Sequence, residues 1–219
     1  ARQWSALNIP FSALYSGFLG SARQIEVVSE IFSQLKGPKT VVLVDPVMAD
    51  HGKLYATYTE TLARDMGRLC RQADVIVPNL TEAAILLEAS YREQPSFPQV
   101  EAMLRALHKR YGCRQAVITG ILRDGLLGAA AYDAQRDCVF FHGQPPMDHV
   151  FYGTGDVLAS ALLAGLMRGR SLSQATTLAV DFTYQSMLHT LDNGLPLRYG
   201  GAFEQALPML VRSLESNAC

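Results

Sequence analysis

The chain has 219 residues, 49% hydrophobic and 18% charged, and its 19 basic and 20 acidic side chains leave a net charge of −1. That length and apolar content suffice for one sizeable core, and the near-zero charge excludes a basic footprint for nucleic acid or an anionic membrane surface. No apolar run is long enough to span a bilayer, no charged-then-apolar leader pattern opens the chain, and Cys70, Cys113, Cys138 and Cys219 are scattered without metal-ligand spacing. These features point to a cytoplasmic protein with reduced thiols.

In chain order, Arg2 to Leu7 reads as helix and Phe11 to Tyr15 as a short buried strand, followed by the turn Ser16 to Ser21. Ile25, Val28, Ile31, Phe32 and Leu35 fall at helical spacing, closed by Gly37–Pro38. Thr40 to Val44 is apolar and β-branched, as a strand covered on both faces should be, and it ends in Asp45–Pro46. A long loop containing Gly52 leads to a helix over 61–71 and a strand over 75–77. Pro78–Asn79 breaks that strand, and Thr81 is expected to cap a helix running through Glu88.

The pattern continues with a helix over 100–111, a strand over 115–119, and an antiparallel pair at 126–132 and 138–141. Two long apolar helices follow, the second opened by a capping box of Ser171 and Gln174 and closed by Asn193 to Pro196. A last amphipathic helix covers 203–214. Strand–helix alternation with continuous apolar strands predicts one α/β domain with a mainly parallel sheet.

One stretch carries most of the chemistry. Phe151–Tyr152–Gly153–Thr154–Gly155–Asp156 precedes the apolar helix from Val157. Two glycines permit a sharp turn that brings backbone N–H groups close to a ligand, and the positive end of the helix suits an anion such as phosphate. Asp156 beside that anion hole is a candidate to accept a proton from an attacking hydroxyl. The plainer reading is a glycine turn with an Asp cap.

In parallel sheets, ligands bind beyond the carboxyl ends of the strands. Read at that rim, the strand over 40–44 delivers Asp45, with Asp50 and Tyr55 on the loop after it. The next delivers Asn79 and Glu82, and the strand over 115–118 delivers Thr119 and Gly120. Singly each is an ordinary turn or cap residue; jointly they describe a site, with Mg²⁺ on a nucleotide's phosphates as the counter-charge. His51 and His149 near the rim read as solvated. There is no Walker-type Gly/Lys loop, protein-kinase His-Arg-Asp set or dinucleotide fingerprint.

Asp45 to Asp50 with Leu54–Tyr55, then Pro78 to Glu82, then Gly153 to Asp156, together with Tyr15 to Ser21, resemble the pyridoxal kinase branch of the ribokinase-like superfamily, in the family's order. The resemblance implies a three-layer α/β/α fold with a mainly parallel central sheet. It also implies a cytoplasmic homodimer that transfers the γ-phosphate of ATP to the 5′-hydroxymethyl group of pyridoxal, pyridoxine or pyridoxamine. Asp156 would be the base, and Gly153, Thr154 and Gly155 the anion hole. Asp45, Asp50 and Glu82 would lie around Mg²⁺ and the phosphates, Glu82 through water, with a monovalent cation alongside. Asn79, Glu82, Thr119 and Gly120 would approach the nucleotide phosphates, and Met147, Val150 and Phe151 the adenine. Gly17, Phe18, Asp50 and Tyr55 would lie on the substrate side.

Two departures from the family accompany this. Ala49 stands where glycine is frequent, a mild change unless that position needs a positive φ. A further strand, a substrate-contacting polar residue and a β-flap would precede Ala1. The chain is therefore expected to carry most of the nucleotide half and less of the acceptor half, and to be poorly soluble or inactive when it starts at Ala1. Hydroxymethylpyrimidine kinase is the sister activity on the same scaffold. A non-catalytic nucleotide- or vitamer-binding protein is the reading from another class, and it would have no need of Asp156.

Overall fold

The structure, a computed structural model, describes residues 1–215, so Cys219 lies outside the described residues. The chain divides into two compact units, Ala1–Ile118 with Tyr132–Val139, and Thr119–Ala131 with the residues from Phe140 onward.

The first unit opens with α1 (Arg2–Ala6), β1 (Ala13–Ser16), α2 (Ala22–Leu35) and β2 (Val41–Val44). It continues through β3 (Ala49–Asp50), β4 (Lys53–Leu54), α3 (Glu60–Cys70), β5 (Val75–Ile76), α4 (Leu80–Leu86) and α5 (Phe97–Tyr111) to the start of β6 (Gln115–Arg123). β1, β2, β5 and β6 pair in that order and all in parallel, with Tyr15 opposite Leu43, Leu43 opposite Val75, and Val75 opposite Gln115. Val42, Leu43 and Val44 are fully buried, which is why this run is apolar without alternation.

Asp74 sets the register from below. Its carboxylate accepts the Val42 amide at 3.0 Å and pairs with Lys36 at 3.0 Å, while its backbone bonds to Val42 and to the amides of Arg114 and Gln115. With the strand starts stitched together, the carboxyl ends of β1, β2 and β5 lead into neighbouring loops.

The long loop expected after β2 contains a small hairpin, β3 paired antiparallel with β4. His51 and Gly52 both have positive φ, 47° and 77°, as a two-residue type I′ turn requires. The helix expected to be capped by Thr81 is capped by Asn79, whose side chain accepts the Glu82 amide. Thr81, in the first turn, accepts the amide of Gly52 instead.

The second unit continues β6 into β7 (Leu126–Asp133) and β8 (Cys138–Gln144), then α6 (Thr154–Met167), α7 (Leu172–Asp192), a 3-10 turn over Leu197–Tyr199 and α8 (Phe203–Glu215). β6 runs further than its apolar core suggests, because Gly120, at φ 74°, kinks the strand without ending it. The Asp124–Gly125 turn, again with two positive φ values, then folds β6 onto β7. α6 and α7 pack closely where Gly165 meets Ala175, and the expected Ser171–Gln174 capping box is present. Among the described residues no helix is long and apolar enough to cross a membrane. Cys70, Cys113 and Cys138 form no disulfide.

Gly128 marks the tightest crossing of β7 and β8: a Cβ there would lie 2.0 Å from the His142 carbonyl oxygen and 2.5 Å from Gly143 Cα. Backbone cannot yield as a flexible side chain would. Gly128→Ala is therefore expected to destabilise the protein by about 3 kcal/mol, the upper end of overpacking costs. Urea unfolding checks this; an unchanged midpoint would contradict the packing described.

Candidate functional site

In the first unit the site is built around one carboxylate. Glu82 is 2% exposed, and its two oxygens accept three backbone amides: Met48 at 3.0 Å, Ala49 at 3.4 Å and Asn79 at 2.8 Å. Asn79 completes the exchange, taking the Glu82 amide at 2.9 Å and donating its own side-chain amide to the Ala49 carbonyl at 2.7 Å. Thr81 adds a third tie by accepting the Gly52 amide at 2.9 Å. The first turn of α4 thus holds the Met48–Gly52 loop by its backbone, which side-chain changes in the loop leave intact.

Burial pushes the Glu82 carboxyl up to about 7, opposed by the three amides and reinforced by the charge of Asp50. Asp45 is also buried, at 4% exposure, with its amide donating to the Ser16 carbonyl at 2.9 Å. Asp50 faces solvent and accepts the His51 amide. His51 is solvated, as expected. Ala49 lies in β3 and is absent from the positive-φ positions, so replacing the family's frequent glycine imposes no backbone strain there.

Asp45, Asp50 and Glu82 were expected around a metal. Among the described residues no group of three or more His, Cys, Asp or Glu side chains is placed to hold a metal ion. Glu82, with both oxygens on backbone amides, serves the loop.

Of the residues expected on the substrate side, Phe18 is 53% exposed and Tyr55 38% exposed, while Gly17 is half-buried between β1 and α2. Sequence reasoning missed Tyr58. Its hydroxyl donates to the Leu19 carbonyl at 2.6 Å, its ring meets Phe18 edge-on, and burial pushes its phenol up to about 12. No motif spacing marks it; only the fold brings it to this loop.

In the second unit the expected anion hole takes the form of a helix start. α6 begins at Gly153, which has φ 75° and caps it without any side-chain bond, and Asp156 lies exposed in its first turn. By contrast, Ser21, Thr59, Asn79 and Ser171 each accept a first-turn amide of their own helix. The α6 start therefore offers amides that no side-chain cap occupies, at the positive end of a 14-residue helix. Just before it, Val150 is exposed while Met147 and Phe151 are half-buried. Thr119 is half-buried, and Gly120 lies exposed at the kink of β6.

The sequence pattern of the phosphomethylpyrimidine kinase family matches residues 2–198. A pyridoxal kinase of Histophilus somni is 32% identical over 170 residues, 73% of this chain and 56% of that protein. A hydroxymethylpyrimidine/phosphomethylpyrimidine kinase of Streptomyces coelicolor is 31% identical over 179 residues, 80% of this chain and 62% of that protein. The structure of a Bacteroides thetaiotaomicron protein solved with pyridoxal superposes with a TM-score of 0.90 at 31% identity, covering 96% of this chain and 74% of that one. Pyridoxal kinase from Lactobacillus plantarum gives 0.87 at 28% identity, covering 100% and 77%. The chain spans about half the length of the curated relatives it matches, 47% and 56% of two of them.

The raised Glu82 carboxyl makes stability depend on pH. Between about 4.5 and about 7 the folded state keeps a proton that the unfolded chain has released, so stability falls as pH rises across that window and levels off above it. Glu82→Gln has no such proton and is expected to lose this slope. Urea midpoints of both proteins at about pH 5 and about pH 8 check it. Parallel pH profiles would show that Glu82 does not titrate there.

Proposed function

The chain belongs to the phosphomethylpyrimidine kinase family, and from that premise we propose that it transfers the γ-phosphoryl group of ATP, taken up with Mg²⁺, to the 5′-hydroxymethyl group of a B6 vitamer. One observation carries the reading: the α6 start, where a glycine turn leaves first-turn amides without a side-chain cap and a carboxylate stands exposed among them.

The amides from Gly153 to Gly155 stabilise negative charge on the group in transit, helped by the helix dipole. Asp156 takes the hydroxyl proton as the acceptor oxygen bonds to the γ-phosphorus. The bond from that phosphorus to the bridging oxygen breaks, and ADP leaves with the electron pair. Asn79, Thr119 and Gly120 are proposed phosphate neighbours. Met147, Val150 and Phe151 supply apolar surface for adenine, and Gly17, Phe18, Asp50 and Tyr55 attend the acceptor. Glu82 contributes by fixing the Met48–Gly52 loop. The same resemblance supports a cytoplasmic homodimer.

A vitamer is the favoured acceptor because the Bacteroides protein, 31% identical to this chain, was solved with pyridoxal. The family match and the Streptomyces relative favour a second acceptor, hydroxymethylpyrimidine. Steady-state phosphorylation of pyridoxal, pyridoxine, pyridoxamine and hydroxymethylpyrimidine decides between them. Turnover of the pyrimidine alone would install the second reading, and turnover of none would remove both.

Asp156→Asn tests the mechanism. The amide keeps the side chain's shape, so folding and the binding of both ligands are expected to survive. The loss should fall on kcat, by roughly 10²–10⁴-fold, the usual scale for removing a general base. An Asn variant that turns over like the parent would reduce Asp156 to a helix-start residue.

A further inference from the structure

Tyr58 joins two loops of the first unit by a continuous hydrogen-bonded path. From its hydroxyl the path reaches the Leu19 carbonyl, in the loop between β1 and α2, at 2.6 Å. From its amide the path runs to the Tyr55 carbonyl at 2.9 Å, from the Tyr55 amide to the Met48 carbonyl at 3.0 Å, and from the Met48 amide to Glu82 at 3.0 Å. The Leu19 loop is pinned once more where the Gly20 amide donates to the Gln24 side chain at 2.7 Å, beside the Ser21 cap of α2.

Between these pins stands Phe18. Its ring meets that of Tyr58 edge-on, with centroids 5.8 Å apart and planes at 62°, yet it remains 53% exposed while Tyr58 is 6% exposed. An aromatic side chain fixed by its neighbour and left uncovered is a preformed apolar wall, the kind of surface a planar heterocycle covers on binding.

We infer that Tyr58 is a positioning residue for acceptor recognition: it holds the Leu19 loop so that the Phe18 ring is presented ready-made to the acceptor's aromatic ring. This rests on the functional reading above and adds to it the residue that sets acceptor affinity. Because the loop is fixed before binding, the acceptor does not pay to order it. Without the hydroxyl the loop samples other positions, and apparent affinity falls by the fraction of time the ring is misplaced.

Tyr58→Phe removes the donor and keeps the ring. The expected result is a KM for the acceptor raised roughly 3- to 10-fold, with kcat and the KM for ATP changed less than about twofold. Amide exchange at Phe18, Leu19 and Gly20 should quicken in the same variant. In a Phe18→Ala background the further change should add nothing to KM, since Tyr58 acts through that ring. A merely structural Tyr58 would instead lower kcat and both affinities together, or act equally in both backgrounds. Either outcome, or an unchanged acceptor KM, overturns the inference while a working parent leaves the kinase reading standing. A parent that phosphorylates no hydroxymethyl heterocycle overturns both.

Discussion

The rim of the first unit depends on a buried carboxylate that spends itself on backbone. Glu82 is almost wholly buried, where a lone carboxyl would be strongly disfavoured as an anion. Three amide donors make the burial tolerable, and two of them belong to a loop more than thirty residues earlier in the chain. Removing the carboxylate would leave those donors unpaired, each a cost of about 1–3 kcal/mol if water cannot replace it. The loop's conformation and the cap of α4 therefore stand or fall together. Through Met48, Tyr55 and Tyr58 the same anchor reaches the loop that carries Phe18.

This explains why the Asp45–Tyr55 segment can be polar, exposed in part and still ordered. Its hairpin turn uses two residues with positive φ, and Gly52 has a second constraint, since a Cβ there would meet the Tyr91 ring at 2.8 Å. Met48 and Ala49 are fully buried beneath it. A loop held by main-chain bonds on one side and by buried side chains on the other presents Asp50 and Tyr55 from a fixed base.

The fold was largely legible because hydrophobic period and cap chemistry agree. The apolar run 41–44, the 3.6-residue spacing of α2 and the Ser171–Gln174 box each specify one outcome, and each is found. The glycine turn and helix start at Gly153–Asp156 were legible because their chemistry is local. What escaped the sequence was long-range pairing. Nothing local reveals that Glu82 bonds to Met48, that Thr81 serves Gly52 rather than its own helix, or that Tyr58 reaches Leu19. These bonds span between 29 and 39 residues, and a carboxylate three positions after an Asn looks the same in sequence whichever partner it takes.

Two helix starts in this protein use one piece of physics in opposite ways. At α4 the free amides and the positive end of the dipole are consumed internally, by Asn79 and by the carboxylate of Glu82, and the return is a rigid loop. At α6 a glycine replaces the capping side chain, and the first-turn carboxylate, Asp156, is exposed where Glu82 is buried. A glycine at the cap position costs the helix only a few tenths of a kcal/mol against a good side-chain cap. The contrast is between a first-turn carboxylate buried on backbone amides and one that stands at the protein surface.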